Sequence, residues 1–119
     1  MSLFNVPVSQ PLPLNIVVSG NTATTIVDAT DSQITVPWFE VNEHFGGTHN
    51  LTVDIIDAAT AVNYLGDDAG TTWNAKAVTA KASYKFTKGY VIPKGGKLRV
   101  SSSDAAGKFH VIGIQLPVL

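Results

Sequence analysis

The sequence contains no cysteine. That excludes thiol nucleophiles, thiolate metal sites and a disulfide framework, and leaves the redox compartment open. Charge is scarce as well. Asp, Glu, Lys and Arg make up 14% of the residues, against about 25% in an ordinary soluble domain. So few charges, without the composition of a disordered chain, suggest a surface partly covered by other protein chains. No stretch approaches the ~18–20 consecutive apolar residues of a membrane-spanning helix. The opening Met1-Ser2-Leu3-Phe4-Asn5-Val6-Pro7 lacks a charged segment and an unbroken apolar core, so it does not read as a secretory signal. A formal net charge of −1 is not that of a dedicated nucleic-acid binder, which is normally basic. Neither membrane nor nucleic acid is expected as a partner.

What is present fits one domain. The chain has 119 residues, 45% of them hydrophobic, and a chain of this size can bury roughly two thirds of its surface without a metal or disulfide staple. The charges are unevenly placed. Residues 1–75 hold eight acids and no bases; residues 76–119 hold eight bases and one acid, so the two parts carry −8 and +7. Either acidic and basic strands pair within one fold, or an acidic face of one copy meets a basic face of the next. Asp54, Asp57, Asp67 and Asp68 are the candidates for the acidic face, and Lys81, Lys85, Lys97 and Arg99 for the basic one.

Residues 1–13 carry Pro7, Pro11 and Pro13. Proline fixes φ and removes a backbone donor, so this stretch is neither helix nor central strand. It is nevertheless apolar, with Leu3, Phe4, Val6, Val8 and Leu12, whereas a disordered tail is normally polar. It reads as an extended arm held in a groove of its own domain or of a neighbour.

Residues 14–119 read as about eight short strands with turn signals every 8–12 residues. This is the pattern of an all-β sandwich or jelly roll. Residues 14–19 and 22–27 flank Gly20-Asn21 and are expected to form a hairpin. Pro37 is expected to make the strand beginning at residue 33 an edge strand or to end it. Residues 58–62 allow one helical turn. Residues 80–87 alternate with a period of two, Ala80, Ala82, Tyr84 and Phe86 facing one way. Pro93-Lys94-Gly95-Gly96 is a turn because Pro sets φ and Gly accepts φ > 0.

The chemistry-bearing residues do not assemble into a catalytic signature. His44 and His49 flank a glycine pair, but a metal site needs three or more converging ligands. The acids lack the alternating spacing of a calcium loop. No Gly-x-Ser-x-Gly elbow and no phosphate-binding glycine loop occurs. His110 alternates with apolar residues and reads as a structural histidine. Lys81, Lys85 and Lys88, with Lys97 and Arg99, lack the interleaved exposed aromatics of a nucleic-acid surface. No enzymatic activity and no cofactor are expected. Trp38 and Trp73 are the candidates for a sugar-stacking platform, which keeps a carbohydrate-binding or host-recognition module as the alternative function.

The order Thr22-Ala23-Thr24-Thr25-Ile26-Val27-Asp28-Ala29-Thr30, an alternating central strand, residues 89–103 (GYVIPKGGKLRVSSS) and a final strand resembles small β-sandwich virion proteins of tailed bacteriophages, capsid decoration (cement) proteins among them. The likeness covers residues 20–116. It implies a β-sandwich or jelly-roll fold, a homo-oligomer that is often a trimer, no enzymatic activity, and a place on the capsid surface against the major capsid protein or other virion proteins after synthesis in the host cytoplasm. Head–tail joining and tail roles belong to the same class.

Overall fold

The computed structural model describes residues 11–19, 21–43, 49–70, 72–78, 82–103 and 108–117. Ten strands account for most of them: β1 (Leu12–Ser19), β2 (Thr24–Asp28), β3 (Ile34–Glu43), β4 (His49–Ile56), β5 (Val62–Tyr64), β6 (Lys76–Val78), β7 (Ser83–Phe86), β8 (Tyr90–Ile92), β9 (Lys97–Ser102) and β10 (Lys108–Pro117). Two antiparallel sheets form. One has the order β1-β10-β3-β7, with β8 also on β3; the other has β2-β9-β4-β5, with β6 also on β4.

β7 and β8 lie along successive parts of β3, with partners Phe39–Phe86 and Val36–Tyr90 on either side of the gap. They are one strand broken at residues 87–89. β5 and β6 likewise share β4 and are one strand broken by an excursion from Leu65 to Trp73. Counted so, eight strands divide four to a sheet in the double Greek key of a jelly roll.

This topology revises three local expectations. Residues 14–19 and 22–27 do not form a hairpin: β1 pairs with β10 and β2 with β9, so the two strands lie in different sheets. Pro37 does not make β3 an edge. β3 runs through it between β10 and β7/β8, and the ladder yields on both sides instead. On one side the register with β10 shifts between Ile114 and Leu116. On the other, β7 stops and β8 begins. A proline inside a sheet is tolerated where the missing donor falls at such irregularities. Finally, residues 58–62 form a turn and the start of β5, with no helical turn.

The core is the slot between the sheets. Val36, Phe39, Val41, Phe109 and Val111 face inward from one sheet; Leu51, Val53, Leu98 and Val100 face inward from the other; all are essentially inaccessible. Tyr84 and Phe86 point inward as their period-two pattern requires. Phe86 stacks on Phe39 with ring centroids 4.5 Å apart. Phe39 sits opposite Gly113, where a Cβ would lie 2.6 Å from the Trp38 carbonyl oxygen and 2.8 Å from the Phe39 Cβ. Only glycine fits there.

The excursion at residues 65–73 ties the two sheets at one flank. Val53 accepts from the Leu65 amide (3.0 Å) and donates to the Trp73 carbonyl (3.0 Å). The chain then reaches the break in the opposite sheet. The Asp68 amide donates to the Lys85 carbonyl (3.1 Å), and the Asp68 carboxylate accepts from the Thr87 amide (2.7 Å) and hydroxyl (2.6 Å). Tyr90 donates its hydroxyl to the Gly66 carbonyl (3.2 Å).

Candidate interaction surfaces

Each sheet has an inner face in the core and an outer face, and the functional question concerns the outer ones. On the β2-β9-β4 sheet the outward positions are those alternating with the core set: Thr25, Lys97, Arg99, Asp54, Ile56, Val62 and Tyr64. Register sets Asp54 opposite Arg99. The guanidinium donates Nε to Oδ1 (2.8 Å) and Nη2 to Oδ2 (3.1 Å), a fork that fixes both groups. Asp54 is 8% exposed and Arg99 24%, so this pair is largely shielded from solvent although it lies on the outer face. Beside it is an open concavity of about 330 Å³ lined by Thr25, Ile56, Asp57, Thr60, Lys97 and Arg99 among others. The turn under it is held by Asp57, whose Oδ1 accepts from the Ala59 and Ala61 amides (2.9 Å each). Thr60 takes φ = 66° there, a left-handed conformation that strains a β-branched residue.

On the β1-β10-β3 sheet the outer face divides in two. At one end Trp38, Ile114 and Pro13 form a cross-strand row, continued by Ile112. At the other, Ser83 donates to Asn42 Oδ1, Asn42 Nδ2 donates to the His110 carbonyl (3.3 Å), and the His110 ring bonds the Asn15 amide oxygen. Large apolar side chains stay exposed around both faces: Val17 is 65% exposed and Val91 54%, with Leu12, Val62 and Tyr64 above 40%.

Among the described residues, the charged ones singled out from the sequence do not segregate into an acidic and a basic face. Asp54 bonds Arg99. Lys97 sits opposite Asp28 and Lys85 opposite Glu40. Asp57 caps a turn, Asp67 is buried and Asp68 is tied to Thr87. Opposite charges thus meet across strands inside one fold, where each such pair is mildly favourable. Trp38 is half-buried on an outer face, whereas Trp73 is fully buried against Tyr84 (4.8 Å) and Phe86 (5.3 Å). Trp73 is a core residue with no ring face to offer a sugar. Of the arm residues, Leu12 begins β1 and is 45% exposed. Leu3, Phe4, Val6 and Val8, and also Lys81 and His44, lie outside the described residues. Sequence reasoning did not single out Val17. Its only signal is an apolar residue at an outward position within the run Ile16-Val17-Val18.

No protein-family model matches the sequence, and no curated protein matches it. Solved structures do. A chain from the acid-stable capsid of Helicobacter pylori bacteriophage KHP30 matches with a TM-score of 0.54 at 12% identity, over 94% of this chain and 93% of that one. A chain of the cyanophage Pam1 capsid matches at 0.46 and 13% identity, over 100% and 92%. The CBM22-1 xylan-binding domain of Paenibacillus barcinonensis Xyn10C matches at 0.45 and 17% identity, over 87% and 71%. At these identities the likeness is one of fold. The expected small β-sandwich is met at that level, and this chain shares its architecture, almost end to end, with the KHP30 capsid chain.

Proposed function

We propose that this chain is a non-enzymatic virion structural protein, a decoration or cement protein that oligomerises on the capsid surface and stabilises the head of a tailed phage. The observation that carries this reading is the end-to-end fold match to a chain of a phage capsid, over 94% of one and 93% of the other. The surface supports it too. Val17, Val62, Tyr64 and Val91 expose apolar area that neighbouring copies or the major capsid protein would cover, each Å² buried contributing about 25 cal/mol. In this reading Leu3, Phe4, Val6 and Val8 of the arm dock along a neighbour, and Asp57, Lys85 and Lys97 add salt-dependent steering to the contact. The protein is made in the host cytoplasm, ends on the virion and takes no cofactor.

The experiment adds purified protein to undecorated heads and measures binding by cosedimentation and head stability by the temperature of DNA release. Binding with a raised release temperature is expected. Heads that neither bind the protein nor change in stability refute the proposal. Removing residues 1–10, which leaves β1 whole, is expected to weaken binding; undiminished binding removes the arm from the contact.

A further inference from the structure

The two sheets have four edges, and three are closed to another strand. The β7/β8 edge is broken at residues 87–89. The β5/β6 edge is broken by the excursion at residues 65–73. β2 is five residues long, carries Asp28 and shifts register between Thr25 and Val27. Breaks, bulges and charges are how natural sheets keep foreign strands away. β1 has almost none of this. It runs eight residues in unbroken register with β10, and its sequence LPLNIVVS has no Asp, Glu, Lys or Arg. Among the described strands longer than three residues it alone is uncharged. Pro13 lies near its start and leaves residues 15–19 with every backbone donor. In the middle of that stretch stands Val17, the most exposed large hydrophobic residue of those described.

We propose that β1 is a self-association edge: two copies of this chain pair their β1 strands antiparallel about a two-fold axis near Val17, joining two sheets into one. The occupant must be a strand, because what the edge presents is a row of backbone donors and acceptors. A second β1 suits it because the two-fold pair sets Val17 against Val17 and residue 15 against residue 19 of the other copy, so a strand without charges meets a strand without charges. Pairing centred on Val17 keeps outward side chains on one face and sets the two valines directly opposite, with Cβ atoms about 4.5–5.5 Å apart. It also leaves Pro13 beyond the middle of the paired stretch. The contact is isologous and closes on itself. It rests on the reading of the chain as self-assembling, not on the particle it joins.

The test is the solution mass of the full chain by light scattering and sedimentation, without any particle. Wild type is expected at an even multiple of the chain mass, Val17→Lys at half of it, and Val91→Lys, on the broken edge of the same sheet, at the wild-type value. Val17→Glu is expected to behave as Val17→Lys, and mixing the two to restore the larger species, since Lys then faces Glu across the axis. A monomeric wild type, an unchanged mass for both Val17 variants, or a mixture that stays small overturns the proposal. So does a chain lacking residues 1–10 that falls to half mass, because the arm would then be the strand on β1. Head binding is scored separately. Half-size Val17→Lys that still binds heads upholds both readings, whereas full self-association of a wild type that binds no head overturns the decoration role alone.

Discussion

Breaking the ion pair of Asp54 with Arg99 is expected to hurt stability unequally from its two sides. In Arg99→Ala the carboxylate of Asp54, 8% exposed, loses two charge-assisted bonds and stays in a site that water barely reaches. Orphaning one member of a buried pair costs about 3–5 kcal/mol, and the position on an outer face places this loss at the low end, about 3 kcal/mol. In Asp54→Ala the guanidinium, 24% exposed, turns toward water, and the loss is about 1–1.5 kcal/mol, near that of one ordinary hydrogen bond. Unfolding entropy of ~2.1 cal/mol/K per residue gives about 250 cal/mol/K here, or about 4 °C per kcal/mol. The expected drops in Tm are therefore about 12 °C and 4–6 °C. Replacing both residues by valine leaves no stranded charge at a strand position that suits a β-branched side chain, and should cost less than Arg99→Ala alone. Urea unfolding of these proteins and of the Asp54→Ala/Arg99→Ala double variant, followed by circular dichroism, supplies the double-mutant cycle. Equal losses in the two single variants, or a loss under about 1 kcal/mol for Arg99→Ala, would refute the account of a shielded pair.

Gly113→Ala should lower stability by about 2 kcal/mol or more, because the new methyl meets the Trp38 carbonyl and the Phe39 Cβ inside the sheet; a change under 0.5 kcal/mol in urea would contradict that packing. Thr60→Gly should raise Tm by about 2–4 °C, since relief of the left-handed strain at φ = 66° outweighs the entropy glycine adds to the unfolded chain; a lower Tm would contradict it. The Asp68 carboxyl titrates below its ordinary value of 3.8 because the Thr87 hydroxyl and amide donate to its charged form. A carboxyl depressed in the folded state stabilises above its unfolded pKa and loses that contribution as pH falls through the folded value. Asp68→Asn should therefore be less stable than wild type at pH 7, with the gap closing below about pH 4. Thermal melts across that range check it, and a gap that persists at pH 2 would count against it. If charges between copies assist assembly, association should weaken from ~0.05 to ~0.5 M salt as the screening length falls from above 10 Å to a few Å; sedimentation reads this directly, and salt-independent mass confines the charge pairing to single copies.

Much of the sandwich was legible because its physics is local. Tyr84 and Phe86 alternate with Ser83 and Lys85, and they face the core as a period of two demands. Gly95, expected to turn the chain, does so at a positive φ of 86°, and Gly89 takes 77° between β7 and β8. What the sequence did not disclose is pairing. The turn chemistry of Gly20-Asn21 suits a hairpin and a crossover equally, and only packing of the two sheets decides between them. Pro37 forbids one donor but does not say whether the strand ends or its neighbours adjust. Trp73 follows no period, since it ends an excursion rather than sitting within a strand, so nothing local distinguished a core ring from a surface one. The charge asymmetry was plain, yet its resolution into Asp54 with Arg99, Asp28 opposite Lys97 and Glu40 opposite Lys85 depended on register.

The strap at residues 65–73 sets a limit on growth. By stitching the far flank of one sheet to the interruption in the other, it leaves the molecule a single side on which backbone can be extended. A subunit with two open flanks adds units without end and makes filaments. One that is sewn along one flank adds a single neighbour by backbone pairing and stops, so in the proposed β1 pairing the same loop that anchors Trp73 limits that growth to two copies.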